Sequence, residues 1–270
     1  MNQIKTISEL EELLKVVEGK KPLTNCYLFG DELNSLISLG YLYYQISGFN
    51  LFLFKCRNEG EFFELYYYIN EENLPIKIDQ KAPIVLEIPY RGSPKFPQRE
   101  LDYLMKCGFE LHINRDLMFL DCPSLNQKEV SVINCSVKLF DDVSHTDLVF
   151  NSIKETFDFF TGDILSLEEV KQSIQNKEVL AIYSCDSLAG FLRYYIKNKV
   201  SWIGHIVIFD EFAGKGLGKL LVYEYLKHQF AKGIQTFQHW VVSDNNTALK
   251  LYDYFGFKKM NKSSISLIKK

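Results

Sequence analysis

The chain has 270 residues, 47% of them hydrophobic, which is ample for real cores and sets an expectation of about two domains. Lysine and arginine number 31 against 34 aspartate and glutamate, a net charge of −3, so no basic excess argues for nucleic acid. Apolar runs stay well below the roughly 18 residues that span a bilayer, the six cysteines form no C-x-x-C pair, and the five histidines show no H-E-x-x-H arrangement. The expectations are a cytoplasmic protein with no membrane, nucleic-acid or metal partner, its thiols buried or half-buried.

In chain order, Ser8 and Glu11 have capping-box spacing. Leu10, Leu13, Leu14 and Val17 follow as an apolar stripe that Gly19 and Pro22 stop, predicting a first helix. A second helix is expected over Asp31 to Tyr44, with Gly40 weakening it. Phe49 to Cys56 and Phe62 to Ile69 are aromatic-rich runs joined across Arg57-Asn58-Glu59-Gly60, the pattern of a β-hairpin. Ile84 to Ile88, bounded by Pro83 and Pro89, reads as a buried strand. A helix from Pro97 presents Leu101, Leu104 and Met105 on one face and ends at Gly108. Glu110 to Ile113 and Leu117 to Asp121 read as two strands, with turns at Arg91-Gly92 and at Asn114-Arg115-Asp116.

The polar, proline-containing stretch Asp121 to Glu129 is the expected boundary between domains spanning 1–125 and 130–270. Beyond it come a strand (Ser131 to Leu139), a helix (Thr146 to Phe157), and a helix capped by Ser166 and Glu169. A hairpin follows over Glu178 to Ser184 and Leu188 to Ile196, then a strand over Ser201 to Phe209. After a glycine-rich turn and a long helix, Phe237 to Val242 is a strand, and Asp244-Asn245 starts a helix striped by Ala248, Leu251, Tyr252 and Phe255 and ended by Gly256. Lys258 to Ile268 holds the last strands. The order in this half is β-α-α-β-β-β-α-β-α-β.

The stretch Ile203 to Leu226, IGHIVIFDEFAGKGLGKLLVYEYL, carries the chemistry. An apolar strand passes through Gly214, Gly216 and Gly218 into a helix, whose first turn leaves N–H donors free and places the positive end of the helix dipole beside them. Spacing excludes two nucleotide loops: G-x-G-x-G is one residue short of the dinucleotide fingerprint, and the Walker A spacing and its Ser or Thr are missing. The run resembles the acetyl-coenzyme A loop of the GNAT N-acetyltransferase superfamily, Arg/Gln-Gly-x-Gly-x-Gly/Ala, with Ala213 where Arg or Gln is usual. Asn245-x-x-Ala248-x-x-Leu251-Tyr252-x-x-x-Gly256-Phe257 matches the second signature of that superfamily at every position it specifies. The resemblance covers about residues 131–270. Leu104-Met105-Lys106-Cys107-Gly108-Phe109 resembles the end of such a domain once more, with Leu104 in place of the tyrosine. Its nearest counterpart of the glycine loop is Tyr90-Arg91-Gly92-Ser93-Pro94.

The resemblance implies an α/β fold with a mixed sheet, built as two tandem GNAT-like acyl-CoA N-acyltransferase domains of which the first is degenerate. It implies acetyl-CoA as co-substrate, a primary amine of a small molecule or peptide as acceptor, and a monomeric pseudo-dimer or a homodimer. An alternative from another class is a CoA-binding sensor without turnover. The pyrophosphate would lie on backbone N–H groups of Gly214, Lys215, Gly216, Leu217 and Gly218, with Lys215 or Lys219 adding charge and Ala213 also counted among the cofactor-binding positions. The strand residues Ile206, Val207 and Ile208 would pair with the amide-rich pantetheine arm, and Asn245 would contact it or serve as an N-cap.

An alkylammonium has a pKa near 10, so only about one molecule in a thousand is nucleophilic at pH 7, and a base is useful. His205 is the first candidate, with packing on the sheet as its other reading; His239 and Glu211 follow. Tyr252, by family precedent, protonates the leaving thiolate, or else belongs to its helix's apolar stripe. Phe157, Phe159 and Phe160 line the acceptor site or the core.

Overall fold

A computed structural model describes residues 1–18, 21–73, 75–77, 82–122 and 129–270. The chain divides into two compact units, residues 1–114 with 262–270, and residues 115–261. Gly19 and the centre of the expected boundary, 123–128, lie outside the described residues.

Unit 1 contains β1 (Asn2–Gln3), α1 (Ile7–Glu18), β2 (Leu23–Thr24), α2 (Gly30–Ser38), β3 (Leu42–Ser47), β4 (Asn50–Arg57), β5 (Phe62–Ile69), β6 (Ile84–Tyr90) and α3 (Gln98–Lys106). Its sheet runs β1-β3-β4-β5-β6 and is completed by residues 263–269 of the last strand, β13 (Lys258–Lys269), antiparallel to β6. Among the described strands of this unit, β5 and β6 alone pair in parallel. Along β4 the alternation sends Leu51 and Leu53 to a core under α1 and α2, and Phe52 and Phe54 to a core under α3. A strand buried on both faces reads as one apolar run, as this one does.

The N-terminal cap differs from expectation. Thr6, not Ser8, accepts from the Glu9 N–H at 3.2 Å, and the Glu9 carboxylate returns to the Lys5 N–H at 2.9 Å. The T-x-x-E device therefore starts the helix two residues earlier. The helix expected to reach Tyr44 stops at Ser38, because Gly40 adopts φ 73° and the β-branched and aromatic residues beyond it pair as β3.

Unit 2 contains β8 (Cys135–Leu139), α4 (Thr146–Thr156), α5 (Leu167–Gln175), β9 (Val179–Ser184), β10 (Ser187–Lys197), β11 (Val200–Ile208), α6 (Leu217–Ala231), β12 (Thr236–Val242) and α7 (Asn246–Tyr254). The sheet runs β8-β9-β10-β11-β12 and is completed by residues 115–121 of β7 (Glu110–Asp121), antiparallel to β12. Again one pair, β11 and β12, is parallel. A core under α4 and α5 holds Val149, Ile153, Val170, Ile174, Phe191 and Val207; a core under α6 and α7 holds Leu221, Tyr225, Tyr252, Leu192, Ile203 and Phe237. The capping box of α5 forms as the spacing requires.

Three sequence expectations change here. Asn114-Arg115-Asp116 is no turn: β7 runs straight through it, because Asp116 pairs with Lys259 at 2.6 Å and Arg115 bonds Thr161, so the polar residues have partners within a sheet. The stretch Lys258 to Ile268 is likewise one strand. A division at 125–130 places 115–121 and 262–270 in the units opposite to those in which they pair.

Candidate active site

Two features of unit 2 build the site. The first is a fork. β11 and β12 are paired over Val200–Thr236, Ser201–Phe237 and Trp202–Gln238, and beyond that point the two strands part. β11 from Ile203 to Ile208 keeps only its antiparallel partner β10. Among the described residues no segment pairs with it on the β12 side, so its backbone groups on that edge are available to an extended amide ligand.

The second is the glycine turn. Gly214 (φ 75°) and Gly216 (φ 82°) take the left-handed region, Gly216 serving as the N-cap of α6. Among the described residues no protein acceptor meets the backbone N–H groups of Gly214, Lys215, Gly216, Leu217 and Gly218. Five unpaired donors at the start of a 15-residue helix fit a pyrophosphate. Ala213 lies outside that set, its N–H bonding the Asp210 carbonyl at 3.0 Å. The lysines fold back on the protein: Lys215 Nζ donates to the Glu211 carbonyl at 2.8 Å, and Lys219 Nζ sits 4.2 Å over the Tyr254 ring. Asn245 caps α7, its Oδ1 accepting from the Ala248 N–H at 3.0 Å. Ile206 and Ile208 pack toward α6 and Val207 toward α4 and α5.

His205 owes its direction to a bulge. Arg193 is opposite His205 while Tyr194 is opposite Ile203, which makes Gly204 an extra residue on β11. Before it, Ser201 faces α6 and meets the Tyr225 hydroxyl at 2.7 Å; after it, His205 and Val207 face α4 and α5. His205 is 1% exposed, its ring edge-on to Phe157 at 4.7 Å. Its Nε2 lies 3.0 Å from the Gly162 carbonyl. That oxygen only accepts, so Nε2 carries the proton and Nδ1 keeps a lone pair. Nδ1 is buried with no protein partner. Burial, helped by the Arg193 charge, holds the imidazole below its usual pKa and therefore neutral at pH 7.

The carbonyl that fixes this tautomer belongs to the connection between α4 and α5, which is tied at several points. Asp158 Oδ1 accepts from the Thr161 N–H at 2.9 Å and from its hydroxyl at 2.7 Å, and the Gly162 N–H reaches the Asp158 carbonyl at 2.7 Å. A Cβ at Gly162 would overlap that same carbonyl. Arg115 Nη2, from β7 on the far side of β12, donates to Thr161 Oγ1 at 2.6 Å. Residues 157–163 thus form a strap from β11 to β7 across the parted strands. Sequence reading assigned no function to Arg115, Asp158, Thr161 or Gly162. The D-x-x-T-G pattern between two helices is an Asx-turn signal that was there to be used. Phe159 and Phe160 lie on the strap, half-buried and edge-to-face at 5.2 Å.

The remaining candidates lie on the other face. Tyr252, 4% exposed, packs on His239 of β12 at 3.6 Å and lies 5.5 Å from Phe257. Burial raises the Tyr252 phenol well above 10 and pushes His239 down to about 3. Neither nitrogen of His239 has a hydrogen-bond partner. His205 and His239 therefore do not converge on one proton; the sheet separates them. Glu211 is exposed on the turn after β11 and joins neither group.

Parted parallel strands, a donor-lined turn opening a helix, and a capped tyrosine helix define an acyl-CoA N-acyltransferase type of fold, and comparison with known proteins places it. The sequence model of the acetyltransferase (GNAT) family matches residues 149–257, so that stretch is a GNAT domain. A GCN5-related N-acetyltransferase from Sphaerobacter thermophilus superposes with a TM-score of 0.60 at 13% identity, over 82% of this chain and 76% of that one. A GNAT-family acetyltransferase from Colwellia psychrerythraea gives 0.52 at 13% identity, covering 100% and 99%. A tandem GNAT protein from the clavulanic acid biosynthesis pathway gives 0.51 at 11% identity, covering 98% and 94%. The whole chain has the fold of these proteins. No curated protein matches it by sequence.

Proposed function

We propose that unit 2 is an acetyl-CoA-dependent N-acetyltransferase acting on a primary amine of a small molecule or peptide. The observation that carries this reading is the conjunction of the parted β11 edge with five unpaired N–H donors from Gly214 to Gly218, one arranged for pantetheine and the other for pyrophosphate. When bound, acetyl-CoA supplies a thioester whose acetyl group passes to the amine as the thiolate leaves.

The chain's own groups handle the protons. His205 Nδ1 takes a proton from the acceptor's ammonium, directly or through water, on the α4 and α5 face, and the neutral amine so formed attacks the thioester carbonyl. The Gly162 carbonyl holds the ring in the tautomer that leaves Nδ1 basic. Tyr252, protonated at every physiological pH because burial raises its pKa, donates to the thiolate from the opposite face. Backbone N–H groups on the free edge of β11 stabilise the developing oxyanion.

Thermal-shift titration tests the first step, since acetyl-CoA bound to the folded state raises apparent stability by mass action. Thiol release across an amine panel tests the second. Tyr252→Phe should lower kcat by about 100-fold with little change in acetyl-CoA binding. An unaltered rate removes the acid role from Tyr252. Binding without thiol release for any amine turns the reading to a CoA sensor.

A further inference from the structure

Unit 1 repeats the fork of unit 2 and fills it. β5 and β6 are parallel and paired over Phe63–Ile84 and Glu64–Val85, then part, as β11 and β12 do. In unit 1 a segment of the chain lies between the parted strands. β2 pairs antiparallel with β5, Leu23 opposite Ile69 and Thr24 opposite Tyr68. The next residue, Asn25, is 5% exposed and bridges both strands: Nδ2 donates to the Leu65 carbonyl at 3.1 Å and the Glu87 carbonyl at 3.0 Å, and Oδ1 accepts from the Tyr67 N–H at 2.9 Å. These three groups are the ones an uninterrupted β5–β6 ladder would have engaged.

The segment also passes from one face of the sheet to the other. Leu23 packs in the core under α3, whereas Cys26 and Leu28 pack in the core under α1 and α2. It is the connection between α1 and α2, the counterpart of the strap between α4 and α5 in unit 2. The two connections have opposite relations to their forks: one goes through, the other lies across.

Among the described residues of unit 1 there is no counterpart of the phosphate half of the site either. The counterpart of the glycine turn and α6 is the connection from β5 to β6, residues 70–83, and among its described residues there is no helix. Ile76, 2% exposed, packs there in the core under α3. This moves the counterpart of the glycine loop away from Tyr90-Arg91-Gly92, which follows β6 and so matches the turn after β12.

We infer that Leu23 to Leu28 is a built-in peptide ligand of the unit 1 fork, with the Asn25 carboxamide making the strand-bridging contacts of an extended amide. The chain accordingly takes acyl-CoA in one fork only. The likeness to a pantetheine arm rests on the proposed reading of unit 2; the occupancy of the unit 1 fork does not.

Amide hydrogen exchange on the full chain, with and without saturating acetyl-CoA, tests it. Without ligand, the Tyr67 amide should exchange as slowly as core amides of β4, and Asn25→Ala should speed it at least about tenfold. Should that variant fail to fold, Asn25→Leu keeps about the size and removes the acceptor of the Tyr67 N–H together with the two donors, and the same acceleration is expected. Acetyl-CoA should slow exchange along Ile203 to Ile208 and leave Leu65 to Tyr67 unchanged, with one equivalent bound by calorimetry. Fast Tyr67 exchange in the unmodified protein, slowing at Leu65 to Tyr67 on ligand addition, or a second equivalent overturns the inference. Absence of any acetyl-CoA binding sinks the reading of unit 2, and the Tyr67 amide still decides the built-in ligand.

Discussion

Thr161→Val removes one oxygen from the strap and nothing else. That oxygen donates to Asp158 Oδ1 at 2.7 Å and accepts from Arg115 Nη2 at 2.6 Å. Hydrogen bonds to charged partners contribute about 1.5–3 kcal/mol each, and half-burial argues for the lower end, so the closed strap should lose about 3 kcal/mol. The Thr161 N–H still reaches Asp158, which keeps the turn itself. At 1.36 kcal/mol per factor of ten, the Gly162 carbonyl is then held against His205 about 100-fold less firmly. The measurement is steady-state kinetics with the best acceptor amine, alongside acetyl-CoA affinity. kcat/KM for the amine should fall between about tenfold and 100-fold while acetyl-CoA affinity stays within about twofold, since the hydrogen bonds of the strap go to His205, to Arg115 and within the strap itself rather than to the glycine turn. Thr161→Ser, which keeps the hydroxyl, should behave nearly as the parent. A folded Thr161→Val protein with parental kcat/KM would falsify the positioning role of the strap.

Two further outcomes concern protons. His205 must be neutral to act, and burial holds its pKa below 6.5, so kcat should be flat above pH 6.5 and fall on an acid limb beneath it; if His205→Gln retains that limb in a rate against pH profile, another group is the base. For His239, burial sets the folded pKa at about 3 against about 6.5 unfolded, so between those values the unfolded chain binds the extra proton. Its stabilising effect is complete above pH 6.5 and drains away as pH falls, at about 1.4 kcal/mol per unit. Urea midpoints of His239→Phe should depend on pH less steeply over pH 4–6.5, and identical slopes would show that His239 is not buried neutral.

Much of unit 2 was legible because its signals are local. The S-x-x-E cap at Ser166, the apolar runs of β9 to β11, the glycine spacing and the Asn245 to Phe257 pattern each specify an element within a dozen residues. The direction of His205 was not legible, since a strand alternates strictly until a bulge shifts it, and Gly204 becomes a bulge only through its register with Arg193. Arg115 and Asp116 read as a turn because polar residues interrupt an apolar pattern. Their partners, Thr161 and Lys259, are 46 and 143 residues away, and no window along the sequence contains both. The same holds for Asn25, whose three bonds reach 40 to 62 residues ahead.

The two forks answer one physical problem differently. Parting two parallel strands inside a packed domain strands backbone N–H and C=O groups in a place with little water, and each buried unpaired group costs about 1–3 kcal/mol. A fork is therefore stable when something extended fills it or when water can reach it. Unit 1 takes the first course: Asn25 satisfies Leu65, Tyr67 and Glu87, and β2 satisfies the far end of β5, so the parted frame persists with its own chain in the fork. Unit 2 leaves the β12 side of Ile203 to Ile208 to a ligand and places the strap over the parting. A filled unit gains nothing from acetyl-CoA, and an open one gains the pairing it lacks. Ligand addition should for that reason raise the unfolding transition of unit 2 and leave that of unit 1 where it was, wherever calorimetry resolves the two.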